Sequence, residues 1–208
     1  IVRDNGANGI VFLRGARGRV VENRVSGNGL NGISLQGRAD PELVGNAVRS
    51  NAAVGIAYFD KSGGTARGNQ VAANGHHGIR VAGEAAPTLS DNRLEDNGRT
   101  GLAYADAAGG TARYNRARGN GESGIAVRDR AGPELVGNIA VENRQSGLVL
   151  ASHATVAAHG NRSRDNRLHG IAVLGPARPT PASAARRSAS ILLSSKSSTR
   201  SVRRPSSA

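Results

Sequence analysis

The sequence contains no cysteine, methionine or tryptophan, and Phe and Tyr together make up only 2% of it. Without cysteine there is no disulfide and no thiolate metal site, and nothing in the chain demands a reducing compartment. So few aromatics leave little for bases to stack on. Phe59 and Tyr114 are the surface candidates, and nucleic acid is not the expected partner. No apolar run approaches the roughly 20 residues of a bilayer span, so no membrane span is expected. There is no Gly-x-Ser-x-Gly for a nucleophile elbow, and the glycines recur too evenly to mark one phosphate-cradling loop. His76, His77, His153, His159 and His169 do not gather as a ligand trio, so no metal and no cofactor are expected. The chain begins at Ile1, inside a repeat and without a secretory leader, and is read as part of something longer.

What is present is a repeat of 23 residues. One asparagine column runs Asn5, Asn28, Asn51, Asn74, Asn97, Asn120, Asn143, Asn166. A second runs Asn23, Asn46, Asn69, Asn92, Asn115, Asn138, Asn161. Glycine recurs at Gly9, Gly32, Gly55, Gly78, Gly101, Gly124, Gly147 and Gly170. Ile or Leu follows each of these glycines, and two residues later comes Phe12, Leu35, Tyr58, Val81, Tyr104, Val127, Leu150 or Val173. Segments such as "GIRVAG" and "GIAVRD" alternate with period two, as short strands do. Asn-Gly steps supply turns, because both residues tolerate positive φ. Each unit is therefore expected to be one coil of three short strands. Coils would stack at about 4.8 Å and share an apolar interior. Leucine-rich repeats have a similar period but require more leucine and a helical segment per unit.

Identical amides at the same corner of each coil can bond upward and downward, as stacked Asn side chains do in cross-β ladders. That reading explains why Asp never replaces Asn in either column. A second period, of 46, is superposed. Pro41, Pro87, Pro133 and Pro179 alternate with Gly18, Gly64 and Gly110. Large Leu43, Leu89 and Leu135 alternate with small Ala66, Ala112 and Ala158. Tyr58 shares a coil with Ala66 and Val81 with Leu89, which reads as volume compensation across a narrow core, although Leu35 with Leu43 does not fit it.

The unit N-x-[VL]-x-x-N-x-x-x-G-[IL]-x-[VLYF], with its alternating "ADPELVGN" and "SGGTARGN" segments, resembles right-handed parallel β-helix repeats of the pectate-lyase-like group. These are often described as carbohydrate-binding and sugar-hydrolysis domains. The Pro/Gly alternation also resembles the β-helix of certain F-box substrate adaptors and of bacterial extracytoplasmic proteins. The resemblance implies an all-β parallel solenoid of about eight coils over residues 1–175. It implies no particular activity, because such repeats encode the coil and not a site. Residues 176–208 are a separate basic, Ser/Arg/Pro-rich tail, disordered by composition. They carry seven of the 28 basic residues and none of the 15 acidic ones, which leaves the coils with 21 basic residues.

On the strand between the two Asn corners, Val25, Val48, Val71 and Leu94 are expected to point inward. The outward positions hold Arg24, Arg49, Arg93, Arg116, Arg118, Arg162 and Arg164, with Glu95. Arg93, Arg116, Arg118, Arg162 and Arg164 are the candidate binding residues, since guanidinium groups take carboxylates in a bidentate manner. Acidic polysaccharide is the expected partner, a protein partner the alternative. Glycoside chemistry needs two carboxyl groups about 5–9.5 Å apart. Glu142 with Asp165, and Asp106 with Asp129, share columns in adjacent coils. Each of these also sits where turn chemistry calls for it. A non-catalytic binding or structural module of a secreted, periplasmic or surface protein is the expectation. A protein-recognition scaffold comes second and a lyase or hydrolase third.

Overall fold

The computed structural model describes residues 1–180. It is a parallel β-solenoid of eight coils, each contributing one strand to each of three eight-stranded sheets. Sheet 1 takes the strand between the two Asn corners, from Val2–Arg3 to Arg162–Arg164. Sheet 2 runs from Ile10–Phe12 to Ile171–Val173, and sheet 3 from Arg19–Val21 to Arg178–Thr180. The register steps by one repeat everywhere: Val48 pairs with Val71, Ile56 with Ile79, Ala66 with Leu89. Because Arg178–Thr180 pairs with Thr155–His159, the coils run past Gly175, where the sequence reading ended them. The rest of the expected tail lies outside the described residues.

All but the two-residue Val2–Arg3 and the five-residue Thr155–His159 are three residues long, because turn residues break the strands. The corner before the second-column Asn is left-handed in coil after coil: Glu22 at φ 54°, Gly45 at 64°, Asp91 at 55°. The corner before the first-column Asn is left-handed too, as at Asp96 (φ 52°) and Glu142 (φ 57°). The glycine that opens sheet 2 serves another purpose. A Cβ on Gly55 would lie 2.7 Å from the Gly78 carbonyl oxygen and 2.8 Å from Asn74 Nδ2, so close approach of the chain excludes any side chain.

Both Asn columns are ladders. In the first, each Nδ2 donates to the next Oδ1 at 2.8 to 3.1 Å. In the second the bonds run from Asn46 to Asn161 at 2.9 to 3.1 Å. The second amide hydrogen goes to a backbone carbonyl, as from Asn69 to Leu43 at 3.0 Å. The backbone N–H of each Asn also donates to the same Oδ1, as Asn46 does to Asn69 at 2.9 Å. A buried amide so placed has all its hydrogen-bonding capacity used. An Asp could accept but never donate, which explains its absence. Asn23, at the open first coil, departs from the pattern and turns its Nδ2 to the Val21 carbonyl.

The interior is one continuous cluster. Val25, Val48, Val71 and Leu94 are fully buried, as their alternation predicts. Tyr58 with Ala66 and Val81 with Leu89 are likewise sealed from solvent, and so are Leu35 and Leu43, a coil with two large residues. The Gly/Pro alternation has a matching cause. Gly64, at φ 88°, lies so close over Pro41 that a Cβ would come 2.9 Å from the Pro41 nitrogen.

Candidate functional site

The first candidate surface is the outer face of sheet 1. Register sets Arg93 directly under Arg116, and Glu95 under Arg118. The stripe is interrupted above them: Ile139 follows Arg116 and Val141 follows Arg118, before Arg162 and Arg164 resume. Two of the five candidate arginines are occupied. Arg118 donates to Glu142 at 2.7 Å, and this bond raises its pKa still further. Arg164 pairs with Asp165 at 2.8 Å. Arg93, Arg116 and Arg162 make no ion pair among the described residues.

The four candidate carboxylates all have local work. Glu142 and Asp165 hold the arginines just named. Asp129 accepts the backbone N–H of Asp106 at 3.0 Å, and Asp106 accepts that of Gly83 at 2.9 Å. All four are left-handed corner residues, with φ between 57° and 60°. Among the described residues no group of His, Asp and Glu could hold a metal ion.

A second surface was not legible in the sequence. Over sheet 2, in the fourth to sixth coils, lies an open groove of about 300 Å³, with Ala103 and Ala126 at its floor. Arg80, Arg99 and Arg128 line it, together with His77, Thr100 and Glu122. None of the three arginines is in an ion pair among the described residues. Arg80 sits 5.8 Å from the centre of the Phe59 ring, a cation–π contact that steadies it. Glu122 accepts a hydrogen bond from the Thr100 hydroxyl at 3.0 Å. Burial lowers the His77 pKa to about 4 against the opposing pull of Glu122, with Arg80 and Arg99 adding to the depression. At neutral pH the groove therefore holds three guanidinium groups, one carboxylate and a neutral imidazole. The arginines occupy three different offsets within the repeat, so no single column announces them.

The family described as a right handed beta helix region matches this chain over residues 1–132 and again over 31–181. Among solved structures, the periplasmic alginate epimerase AlgG superposes with a TM-score of 0.65 at 19% identity. The match covers 84% of this chain and 44% of AlgG, so the chain spans less than half of that protein. The A-module of the Azotobacter vinelandii mannuronan C-5 epimerase AlgE4 superposes with a TM-score of 0.50 at 16% identity, covering 86% of this chain and 64% of that one. At such identities the likeness is one of fold. No curated protein matches the chain.

Proposed function

This chain belongs to the right-handed β-helix family, and from that premise we propose that it is a non-catalytic binding module of an extracytoplasmic protein, holding acidic polysaccharide through its guanidinium-bearing faces. The observation that carries this reading is the register of Arg93 on Arg116. Like charges directly opposite one another in a sheet destabilise it. Neither of these arginines meets a carboxylate within ion-pair distance among the described residues. A carboxylated polymer lying along the coils relieves that repulsion with bidentate contacts.

Three further points support the reading. The groove over sheet 2 adds Arg80, Arg99 and Arg128 on the neighbouring face. Two proteins of the same fold are named for alginate and mannuronan, both carboxylated glycans, and one of them is named periplasmic. Glu142, Asp165, Asp106 and Asp129 are engaged in holding arginines or backbone N–H groups, which favours binding over catalysis.

Titration calorimetry with oligouronates and neutral oligosaccharides of equal length tests the proposal. Uronates bind, neutral glycans do not, and affinity falls as salt rises. The double variant Arg93→Gln/Arg116→Gln weakens uronate binding. Turnover of the uronate would replace this reading with an enzymatic one. Silence on every glycan, with capture of a specific protein partner, would replace it with a recognition scaffold.

A further inference from the structure

The corner before the second Asn column is built the same way in coil after coil. Its residue is Glu22, Gly45, Gly68, Asp91, Tyr114, Gly137 or Gly160, all with positive φ. Glycine takes this conformation freely, and Asp tolerates it. A bulky aromatic residue there is an outlier that calls for a reason. Tyr114 nonetheless holds φ 55°. The interior gives no reason, because Tyr114 is 63% exposed and, among the described residues, the only aromatic in the set of exposed large apolar side chains.

The ring is supported from beneath. A Cβ added to Gly137, one coil on, would come 2.6 Å from Tyr114 Cε1 and 2.7 Å from Cδ1. The ring therefore lies against bare glycine backbone, and any side chain at 137 would displace it. The Tyr114 N–H donates to the Val136 carbonyl at 2.9 Å, which fixes the turn. On the far side of buried Asn115 stands Arg116, the register neighbour of Arg93. On the near side Arg113 is held by Glu134 at 2.9 Å and is not available.

We infer that Tyr114 is a stacking platform for one pyranose ring of the acidic glycan, with the carboxylate of that sugar directed to Arg116. The inference rests on the binding function proposed above and assigns its selective subsite. A pyranose offers a face of C–H bonds, and an aromatic face is negative in its quadrupole and stiff, so the two stack at small entropic cost. A bulky aromatic kept exposed at a corner where four other coils use glycine points to a position kept for contact rather than for folding. The occupant is thus a ring with one apolar face and one carboxylate, which a uronate is and a flexible polyphosphate is not.

The test uses the full chain and a hexauronate. Tyr114→Gly installs the residue that other coils use at this corner, so its Tm equals or exceeds that of the wild type. Its affinity for the hexauronate falls roughly three- to tenfold, the scale of one aromatic contact. Its salt dependence is unchanged, because no charge is lost. Tyr114→Phe binds as the wild type does. Arg116→Gln weakens binding and flattens the salt dependence. Unchanged affinity in Tyr114→Gly overturns the platform while leaving the binding function standing. Absence of hexauronate binding by the wild type overturns both.

Discussion

Asn46 donates its side-chain amide to Asn69 at 2.9 Å and to the Val20 carbonyl at 2.8 Å, so one residue ties together three successive passes of the chain. Replacing Asn69 by Ala removes the acceptor of the Asn46 backbone N–H and of one Asn46 amide hydrogen, and takes a side-chain donor from the Leu43 carbonyl. Each buried group left unpaired costs about 1–3 kcal/mol. Urea denaturation of Asn69→Ala is expected to show a loss of several kcal/mol. Asn69→Asp fares no better, because it cannot donate to Asn92 and carries charge into the interior. Asn23→Ala, at the open end, costs far less. Equal losses at positions 23 and 69 would show that the columns are turn formers only.

The core pairing of Tyr58 with Ala66 gives a second expectation. Ala66→Leu overfills its coil and loses about 1–3 kcal/mol. Tyr58→Val creates a cavity and loses stability as well. The double variant recovers much of the sum, which a double-mutant cycle measures as a coupling. Tyr58→Phe behaves differently. The Tyr58 hydroxyl is buried without a hydrogen-bond partner among the described residues, so its removal is neutral or stabilising.

His77 makes stability fall in acid. Its pKa is near 4 in the folded chain and near 6.5 when unfolded. Between those values the unfolded state binds a proton that the folded state refuses. Stability attributable to this site is therefore complete above about pH 6.5 and declines as pH drops toward 4, by up to about 3 kcal/mol. Denaturation midpoints of wild type and His77→Gln, measured from pH 7 to pH 4, are expected to converge at neutral pH and separate in acid, with the variant losing less. Parallel curves would show that His77 is freely protonated in the folded state.

Glu142→Gln leaves stability nearly unchanged, since an exposed ion pair contributes about 0–1 kcal/mol. It also releases Arg118 from its 2.7 Å bond and removes a negative charge from sheet 1. Uronate affinity is expected to rise, read by calorimetry at low salt. A fall would mean that Glu142 positions Arg118 for the ligand or contacts it directly.

The coil, the inward face and both ladders were legible because each is a column. A translation of one repeat maps Val48 onto Val71 and Asn46 onto Asn69, so sequence period and spatial neighbour are the same thing. The groove was not legible for the converse reason. Arg80 is mid-strand, Arg99 precedes a strand and Arg128 follows one. Only the stacking of three coils gathers them. The pairing of Arg118 with Glu142 was also hidden, because the partner sits at a corner and not on the strand. The strain at Tyr114 left a trace in the sequence, a single aromatic in a column of Gly, Asp and Glu. It acquires meaning once the corner is known to be left-handed.

The large-small alternation of the core also governs how such a chain can lengthen. Excision of the stretch that carries Tyr58 and Ala66 alone would bring Leu35 and Leu43 against Val81 and Leu89, two leucine-bearing layers in succession, and would set Pro41 on Pro87. Excision of two successive coils restores every neighbour to its kind. Gene-level growth and loss in this solenoid are therefore expected to proceed by pairs, with the doublet rather than the single turn as the heritable brick.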